Sequence, residues 1–192
     1  MGLAGEYAYA GRDWVCQRVA DIIGGTIIDE VHNHHNFAWE EEHGDETLWV
    51  VRKGATPAFP GQRGFVGASM AEPSVILKGV GGEEAERTYH STVHGAGRVL
   101  SRTQAKGKTK FDKETGERRV IQEPMVDAKG MYRQIQQAGV ELRGGGVDEA
   151  PQCYKRLNEV LLQHSDSITI EHTLTPVGVA MAGANEYDPY KD

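Results

Sequence analysis

Histidines are concentrated in one short segment of the chain. Three of the eight lie in VHNHHNFAW, residues 31–39, and imidazole is the commonest protein ligand for transition metals. Alternation along an extended segment would place His32 and His34 on one side and His35 on the other. A complete metal site would need further ligands, and no other histidine or thiolate pair has ligand spacing. The other interpretation is a polar loop whose histidines face water.

Another histidine stands in a setting suited to phosphate chemistry. In STVHGAGRVLSR, residues 91–102, His94 precedes a Gly-Ala-Gly sequence at the predicted start of a helix. Small residues at a helix N-terminus expose backbone N–H groups, which bind phosphate. His94 could be a nucleophile, a general base or a phosphate contact, and Arg98 and Arg102 would balance anionic charge one helical turn apart. The alternative is a tight turn with a buried histidine.

The elements that would position these histidines follow no regular strand–helix alternation. Apolar residues at three- and four-residue steps predict an amphipathic packing helix over residues 3–22, and a β-branched run at 26–31 predicts a strand that ends in the histidine segment. Further strands are predicted at residues 47–52, 73–78, 167–173 and 177–181, and further helices at residues 99–105, 125–138 and 151–163. This order indicates an α+β fold with mixed sheets and packed helices.

Composition limits the classes of protein to which the chain can belong. Its 192 residues are 39% hydrophobic and 26% charged, and its net charge of −7 predicts no general attraction to nucleic acid. No apolar run is long enough to span a membrane. Cys16 and Cys153 are far apart in sequence, so we expect no disulfide framework and a reducing, cytoplasmic setting.

The segment KGKTKFDKETGERR, residues 106–119, has the opposite charge from the rest of the chain. It holds six basic and three acidic residues and predicts a surface β-hairpin insertion with its turn at residues 113–116. A polyanion would have to bind locally at such a segment, and a solvated insertion without a role is the alternative. Residues 183–192 are small and polar, which predicts a flexible tail.

Six segments together resemble, in the same order, the RtcB family of RNA-splicing ligases. They are EYAYAGRDWV, HHNFAWEEE, RKGATPAFPGQ, GASMAEPS, HGAGRVLSR and DEAPQCYK, and they span most of residues 1–182. HGAGRVLSR is close to a family signature. The resemblance implies that residues 1–182 form the C-terminal half of an RtcB-like ligase domain.

The resemblance implies an enzyme that joins RNA 3′-phosphate or 2′,3′-cyclic phosphate ends to 5′-hydroxyl ends with GTP and Mn²⁺. The family's guanylylated catalytic histidine corresponds to His94, its metal-binding histidine to His35, and the nucleotide-binding asparagine that follows to Asn36. The family's N-terminal half supplies the other metal ligands. The expected partners are therefore a companion chain carrying that half and RNA with these two kinds of end.

The remaining GTP or GMP contacts fall on two small-residue loops and one aromatic side chain. By resemblance they are Gly67, Ala68, Ser69, Met70 and Ser74 in the guanine loop, Gly95, Ala96 and Gly97 in the phosphate cradle, and Tyr154 as the stacking aromatic. The chain departs from the family pattern at Ala68 and Ala71, where glycines are usual. It also has VAMAG at residues 179–183, where the family has a nucleotide-contacting lysine, and Lys191 lies several residues later.

Three functions are open at this point. The leading interpretation is a GTP-dependent RNA ligase subunit that is incomplete as a single chain, whose residues 106–119 would touch RNA. The alternative is a degenerate half that binds nucleotide or a partner without catalysis, which the missing lysine favours and the presence of His94 and His35 opposes. The third is a metal-dependent phosphohydrolase centred on residues 32–36, which the absence of acidic metal motifs opposes. The identity of the RNA, tRNA halves or damaged RNA, is not predicted.

Overall fold

The computed structural model describes residues 2–183, which divide into two compact units. The first unit contains residues up to 66 together with 76–94 and 164–172, and the second contains residues 67–75, 95–163 and those from 173 onward. A single domain over residues 1–182 stays a prediction, and residues 184–192 of the predicted tail lie outside the described residues.

Helices and strands are interspersed along the described residues. The α-helices are α1 (Gly2–Ile23), α2 (Glu83–Arg87), α3 (Arg102–Lys106), α4 (Ala128–Gln137) and α5 (Leu157–Leu162), with 3₁₀ turns at Val147–Glu149 and Pro151–Cys153. The strands are β1 (Asn36–His43), β2 (Glu46–Lys53), β3 (Ala55–Pro57), β4 (Arg63–Val66), β5 (Ser74–Gly79), β6 (Ser91–Val93), β7 (Lys108–Phe111), β8 (Arg118–Gln122), β9 (Glu141–Arg143), β10 (Ile168–Leu174) and β11 (Gly178–Ala180). In that part of the chain no helix is long and apolar enough to cross a membrane.

The strands pair into several small sheets. β1 and β2, β3 and β6, and β7 and β8 form antiparallel pairs, whereas β9 and β11 pair in parallel. β5 lies between β4 and β10 in a three-stranded sheet. Small mixed sheets with helices between them confirm the predicted α+β class.

Local sequence signals predict some elements correctly and others wrongly. The strands at 47–52, 73–78, 167–173 and 177–181, the helices at 3–22 and 125–138, and the 106–119 hairpin are confirmed. Residues 26–31 form no strand, and the helix predicted at 151–163 is only α5 preceded by a 3₁₀ turn. The early part of that segment leaves the helical path because the N–H of Lys155 donates to the carbonyl of Gly97 at 2.9 Å.

Helix α1 buries less of itself than an amphipathic packing helix should. Within it only Gly5 and Ala20 are buried, whereas Leu3, Trp14 and Ile22 are 82%, 68% and 72% exposed. The helix approaches its unit through small residues, since a Cβ at Gly5 would come within 2.7 Å of the Phe37 ring. The prediction of an ordinary packing helix is therefore wrong for the described residues.

The second unit has a well-defined hydrophobic cluster. Helix α4 is capped by Asp127, whose carboxylate accepts the N–H groups of Lys129 and Gly130, and it buries Met131 and Ile135. The buried members of the cluster are Met70, Ala105, Val126, Met131, Ile135, Val140, Ala150 and Cys153. Because Ala105 belongs to α3 and Ala150 follows the first 3₁₀ turn, the cluster holds these two short elements beside each other.

Candidate functional site

His35 and His94 lie side by side at the corner between β2 and β3. Asn36, the first residue of β1, pairs with Lys53, the last residue of β2, so His35 lies just before that pairing begins. The N–H of Gly54 donates to the His35 carbonyl at 2.9 Å. β6 pairs with β3, and His94 follows the last residue of β6. The two imidazole rings stack with their centroids 5.0 Å apart. Two strand pairings, one on each side of Gly54, thus bring together residues that are distant in sequence.

The surroundings of His35 favour its neutral form. Loss of hydration lowers the pKa of His35, and the neighbouring His94 and Arg12 lower it further. A neutral imidazole is the form that coordinates metal ions. Asn36, the next residue, is exposed at the start of β1. The first unit therefore offers one neutral imidazole as a possible ligand beside a second imidazole.

The other histidines of the segment contact α1. The ring centroids of His32 and His34 lie 4.3 and 4.1 Å from that of Tyr9, and His34 stacks on Phe37. This separation from His35 agrees with the alternation prediction, although the segment before Asn36 is not a strand. Burial lowers the pKa of His34, as expected for a packed imidazole.

The predicted guanine loop lies in the second unit, where its own residues hold it closed. The N–H of Ala68 donates to the Ser74 hydroxyl oxygen at 3.1 Å. Met70 is buried in the hydrophobic cluster. The Ser69 hydroxyl is buried as well, and its oxygen has no hydrogen-bond partner within residues 2–183. An unused buried hydroxyl is unfavourable unless a ligand or water contacts it.

The Gly-Ala-Gly sequence contacts the start of this loop. The N–H of Ala96 donates to the carbonyl of Gly67 at 3.2 Å, and Gly67 forms a parallel bridge with Gly95. A Cβ at Gly95 would lie 3.2 Å from the Gly67 carbonyl oxygen, so glycine is what permits this close approach. Gly97 follows with a φ of +76°. These backbone contacts join the two predicted nucleotide loops within the second unit.

Tyr154 is held by Arg98 and Glu149. Nη1 of Arg98 donates to the phenolic oxygen at 2.8 Å, and the phenol donates to the Glu149 carboxylate. The Arg98 guanidinium also lies over the ring, 4.8 Å from its centroid. Burial and then Glu149 raise the pKa of Tyr154 to about 12. The hydroxyl thus already has both partners, and the ring also packs against the hydrophobic cluster.

Arg98 and Arg102 do not form the predicted helical phosphate clamp. Helix α3 begins at Arg102, because Ser101 and Gln104 form a capping box in which each side chain bonds the other's backbone N–H. Arg98 precedes this helix and forms an antiparallel bridge with Tyr154. The predictions of a helix from residue 99 and of a helix N-terminus at the Gly-Ala-Gly sequence are therefore wrong.

Carboxylates of the chain engage these arginines. Glu149 lies 3.4 Å from Arg98 Nη1 and 3.2 Å from Arg102 Nη2, and Asp148 lies 3.0 Å from Lys106 Nζ. We call these five residues the paired-cation cluster. The roles of Asp148 and Glu149 escaped the sequence prediction, because they lie 42 to 51 positions after the cations and no motif links the two groups. The DEAPQCYK match was the one signal that marked their segment.

Within residues 2–183 one trio of acidic and histidine side chains is close enough to hold a metal: Asp13, Glu30 and His32. Nε2 of His32 lies 3.5 Å from Asp13 and 3.2 Å from Glu30, beside a pocket of about 390 Å³. However, Nε of Arg12 donates to Nδ1 of His32 at 3.3 Å, so the proton of the neutral ring sits on Nε2, the nitrogen that a metal would need on the side of the carboxylates. The three side chains form a group of close polar contacts, and it does not include His35.

The two cysteines differ in exposure, and neither is a predicted site residue. Cys16 is exposed on α1, and Cys153 is buried in the hydrophobic cluster, where burial raises the pKa of its thiol. Residues 178–180 form β11 without a lysine, and Lys191 lies outside the described residues. The predicted site residues are thus divided: His35, Asn36 and His94 belong to the first unit and the others to the second.

Comparison with known proteins identifies one family. Residues 1–182 match the model of the family described as tRNA-splicing ligase RtcB. The RNA-splicing ligase RtcB of Escherichia coli K12 is 34% identical over 152 residues, which are 78% of this chain and 32% of that protein.

Two archaeal relatives match over more of the chain. The tRNA-splicing ligases RtcB of Archaeoglobus fulgidus and Pyrococcus furiosus are 31% and 30% identical, over 94% of this chain and over 40% and 20% of their own lengths. The chain thus spans two fifths or less of these curated relatives.

Proposed function

The chain belongs to the RtcB family, and we propose that it supplies the guanylylated histidine of an RNA ligase. The observation that carries the proposal is the stacked pair of His94 and His35, with the Gly-Ala-Gly loop following His94 directly in the chain. The relatives are named RNA-splicing or tRNA-splicing ligases, and we extend that activity to this chain. Its RNA substrates carry a 3′-phosphate or 2′,3′-cyclic phosphate at one end and a 5′-hydroxyl at the other.

In the first step of the proposed reaction, His94 is the nucleophile. A ring nitrogen of His94 attacks the α-phosphorus of GTP, a nitrogen–phosphorus bond forms, and the bond to the β-phosphate oxygen breaks to release pyrophosphate. The backbone N–H groups of Gly95 and Gly97 would face the transferred phosphate, whereas that of Ala96 donates to the Gly67 carbonyl. A 2′,3′-cyclic phosphate end is first opened by water, which breaks the bond from phosphorus to the 2′-oxygen and leaves a 3′-phosphate. A 3′-phosphate oxygen of RNA then attacks the guanylyl phosphorus, which breaks the nitrogen–phosphorus bond and frees His94. Attack by the 5′-hydroxyl on the activated 3′-phosphate forms the new phosphodiester and releases GMP.

Residues of the second unit would bind the guanosine. The unused Ser69 hydroxyl can donate to or accept from a polar edge of the nucleotide, while Ser74 keeps the loop with Gly67, Ala68 and Met70 closed. By the family resemblance, Tyr154 would stack on the base. Asn36, beside His35 in the first unit, adds an amide contact.

His35 would be the ligand that this chain gives to Mn²⁺. When bound, Mn²⁺ neutralises charge on the phosphate oxygens during transfer. The lowered pKa of His35 suits this role, because its ring is neutral at physiological pH. One imidazole holds the ion weakly, so the other ligands would come from the part of the family sequence that this chain does not match, carried by a companion chain.

The surface of α1 supports a companion. Leu3, Tyr7 and Trp14 are each at least 68% exposed, and large apolar patches of this kind usually contact another protein surface. We place the reaction in the cytoplasm, because both cysteines are free thiols.

The test uses the chain in its native assembly, isolated through a tag on this chain and incubated with labelled GTP and Mn²⁺. We expect label on His94 as an acid-labile, alkali-stable adduct, and none in the His94→Ala variant. The isolated 192-residue chain should be nearly inactive. Label on His94→Ala, or robust ligation by the isolated chain, would contradict the proposal.

The second candidate is a catalytically degenerate half that binds nucleotide or a partner. The VAMAG sequence at residues 179–183, where the family has a lysine, favours it. The same labelling experiment separates the two, since a degenerate half would bind GTP without forming the adduct.

A further inference from the structure

Three cations share one face of the β7–β8 hairpin. Lys108 and Lys110 are two residues apart on β7, so their side chains point to the same face about 6.8 Å apart. Arg119 lies directly opposite Lys110. The bulge between the strands falls on β8, between the partners of Lys108 and Thr109, and leaves β7 regular. We call Lys108, Lys110 and Arg119 the cationic face.

The position of Arg119 opposite Lys110 is unfavourable within the protein alone. Like charges directly opposite each other on neighbouring strands repel and destabilise the pair. Among the described residues no carboxylate lies within 4 Å of any of the three charged groups. Asp112, which follows β7, uses its carboxylate to accept the N–H groups of Glu114 and Thr115. An external anion would remove the repulsion.

The reverse face of the hairpin carries an exposed aromatic ring. Phe111 is 57% exposed and Val120 51%, and Phe111 lies opposite Arg118. Phe111 is therefore not part of the cationic face. Cationic surfaces are typical of proteins that bind single-stranded nucleic acid, because their side chains pair with the phosphates of the backbone.

We propose that the cationic face binds the phosphodiester backbone of the RNA substrate, with one phosphate between Lys110 and Arg119 and the next at Lys108. The proposal rests on the proposed function, which makes RNA the substrate. It adds an RNA-binding surface made of residues other than the histidine pair and the nucleotide loops. The net charge of −7 makes a local cationic surface necessary for a polyanion to approach.

The test measures binding of a single-stranded ribo-oligonucleotide with a 3′-phosphate to the 192-residue chain at several salt concentrations. In the triple variant Lys108→Gln, Lys110→Gln, Arg119→Gln, we expect the slope of log K against log salt to fall by about 2, since each lost phosphate contact on a single strand removes about 0.7. A control triple, Arg18→Gln, Lys129→Gln, Arg133→Gln, makes the same charge change at exposed positions and should keep the slope. Circular dichroism checks that both variants fold.

Three outcomes would overturn the proposal: no RNA binding by the unmodified chain at low salt, an unchanged slope in the hairpin triple, or an equal loss in the control triple. A fourth is polyglutamate bound as tightly as RNA through the same three cations, which would assign the face to an acidic protein. Labelling of His94 in the native assembly separates this inference from the proposed function. If His94 is labelled but RNA binding does not depend on the hairpin, only the inference is contradicted. If His94 is not labelled but RNA binding depends on the hairpin, only the proposed reaction is contradicted.

Discussion

Two groups of cations lie on either side of Gly107 and differ in what surrounds them. On one side, Lys106 and Arg102 of α3 lie near the buried Asp148, at 3.0 and 3.8 Å. On the other side, Lys108 and the rest of the cationic face have no carboxylate within 4 Å among the described residues. A continuous basic run in the sequence therefore contains residues of two kinds, some neutralised inside the protein and some available to an external anion.

Gly107 marks the boundary because of its backbone conformation. Its φ is +75°, a region that favours glycine, and a Cβ there would lie 2.7 Å from the carbonyl oxygen of Gln122. Helix α3 therefore ends at Lys106, and the chain turns into β7. Lys106 and Arg102 pair with Asp148 and Glu149, and Glu149 also accepts from Tyr154. The cationic face has no such partner among the described residues. Each of the following variants tests whether that division is correct.

The largest effect should follow from Asp148→Asn. Asp148 is 1% exposed, so removing its charge takes the buried counter-charge from Lys106 and leaves Arg102 paired with Glu149 alone. Breaking such a pair lowers the free energy of unfolding by about 3 kcal/mol, at the low end of the usual range because both cations also reach water. Urea unfolding measures the change, and the exposed Asp45→Asn is the matched control. Equal stability of the two variants would show that the cluster is not structural.

Tyr154, which contacts Arg98 and Glu149 of the paired-cation cluster, should lose its proton at a higher pH than a free phenol. The pKa of Tyr154 is raised from 10.0 to about 12, so the folded chain holds the phenolic proton more tightly than the unfolded chain does. That stabilisation is complete below pH 10 and is lost as the pH rises to 12. We expect the unmodified chain to lose about 1 kcal/mol more than Tyr154→Phe over this interval, after allowance for screening by water. Urea unfolding at several pH values tests this, and parallel curves would contradict it.

Elements with local signals are the ones that the sequence predicts. The helix predicted at residues 125–138 is observed as α4, and a polar turn between short strand arms predicts the hairpin. The Ser101-x-x-Gln104 capping box was a visible signal for the start of α3, and using it would have corrected the helix predicted from residue 99. The β-branched run at 26–31 was misleading because a strand needs a partner, which no local pattern reveals.

The sequence identifies the residues of the candidate site but not how they are arranged in space. Resemblance to a family selects His94, His35 and Tyr154, but the contact between the two histidines depends on the pairing of β3 with β6, which joins distant parts of the chain. The pairing of Arg98 with Glu149 likewise spans 51 positions. Contacts at such separations follow from packing of the whole unit, so charge counts along the sequence cannot tell paired cations from unpaired ones.

A smaller and sharper test compares the two lysines that flank Gly107. Lys106→Gln should lower the free energy of unfolding by about 1 kcal/mol, since one ion pair to a buried carboxylate is lost, and should leave the salt dependence of RNA binding unchanged. Lys108→Gln should leave stability unchanged and reduce the salt slope by about 0.7. Both variants remove one positive charge, so net charge cannot explain a difference. The reverse result, or the same result for both lysines, would contradict the distinction between paired cations before Gly107 and unpaired cations after it.

The smallest effect should come from converting an unpaired cation into a paired one. Gln122 lies directly opposite Lys108, so Gln122→Glu places a carboxylate beside a cation that otherwise has none. Opposite charges across a strand pair contribute about 0.5 kcal/mol, and we expect the free energy of unfolding to rise by that amount while RNA affinity falls. Gln136→Glu, at an exposed position of α4, adds the same charge away from the hairpin and should change neither quantity appreciably. Urea unfolding and salt-dependent RNA binding are measured on both variants. They decide whether the lack of a counter-charge makes the cationic face available to RNA. If Gln122→Glu gains stability and still binds RNA as before, phosphate contacts do not depend on Lys108.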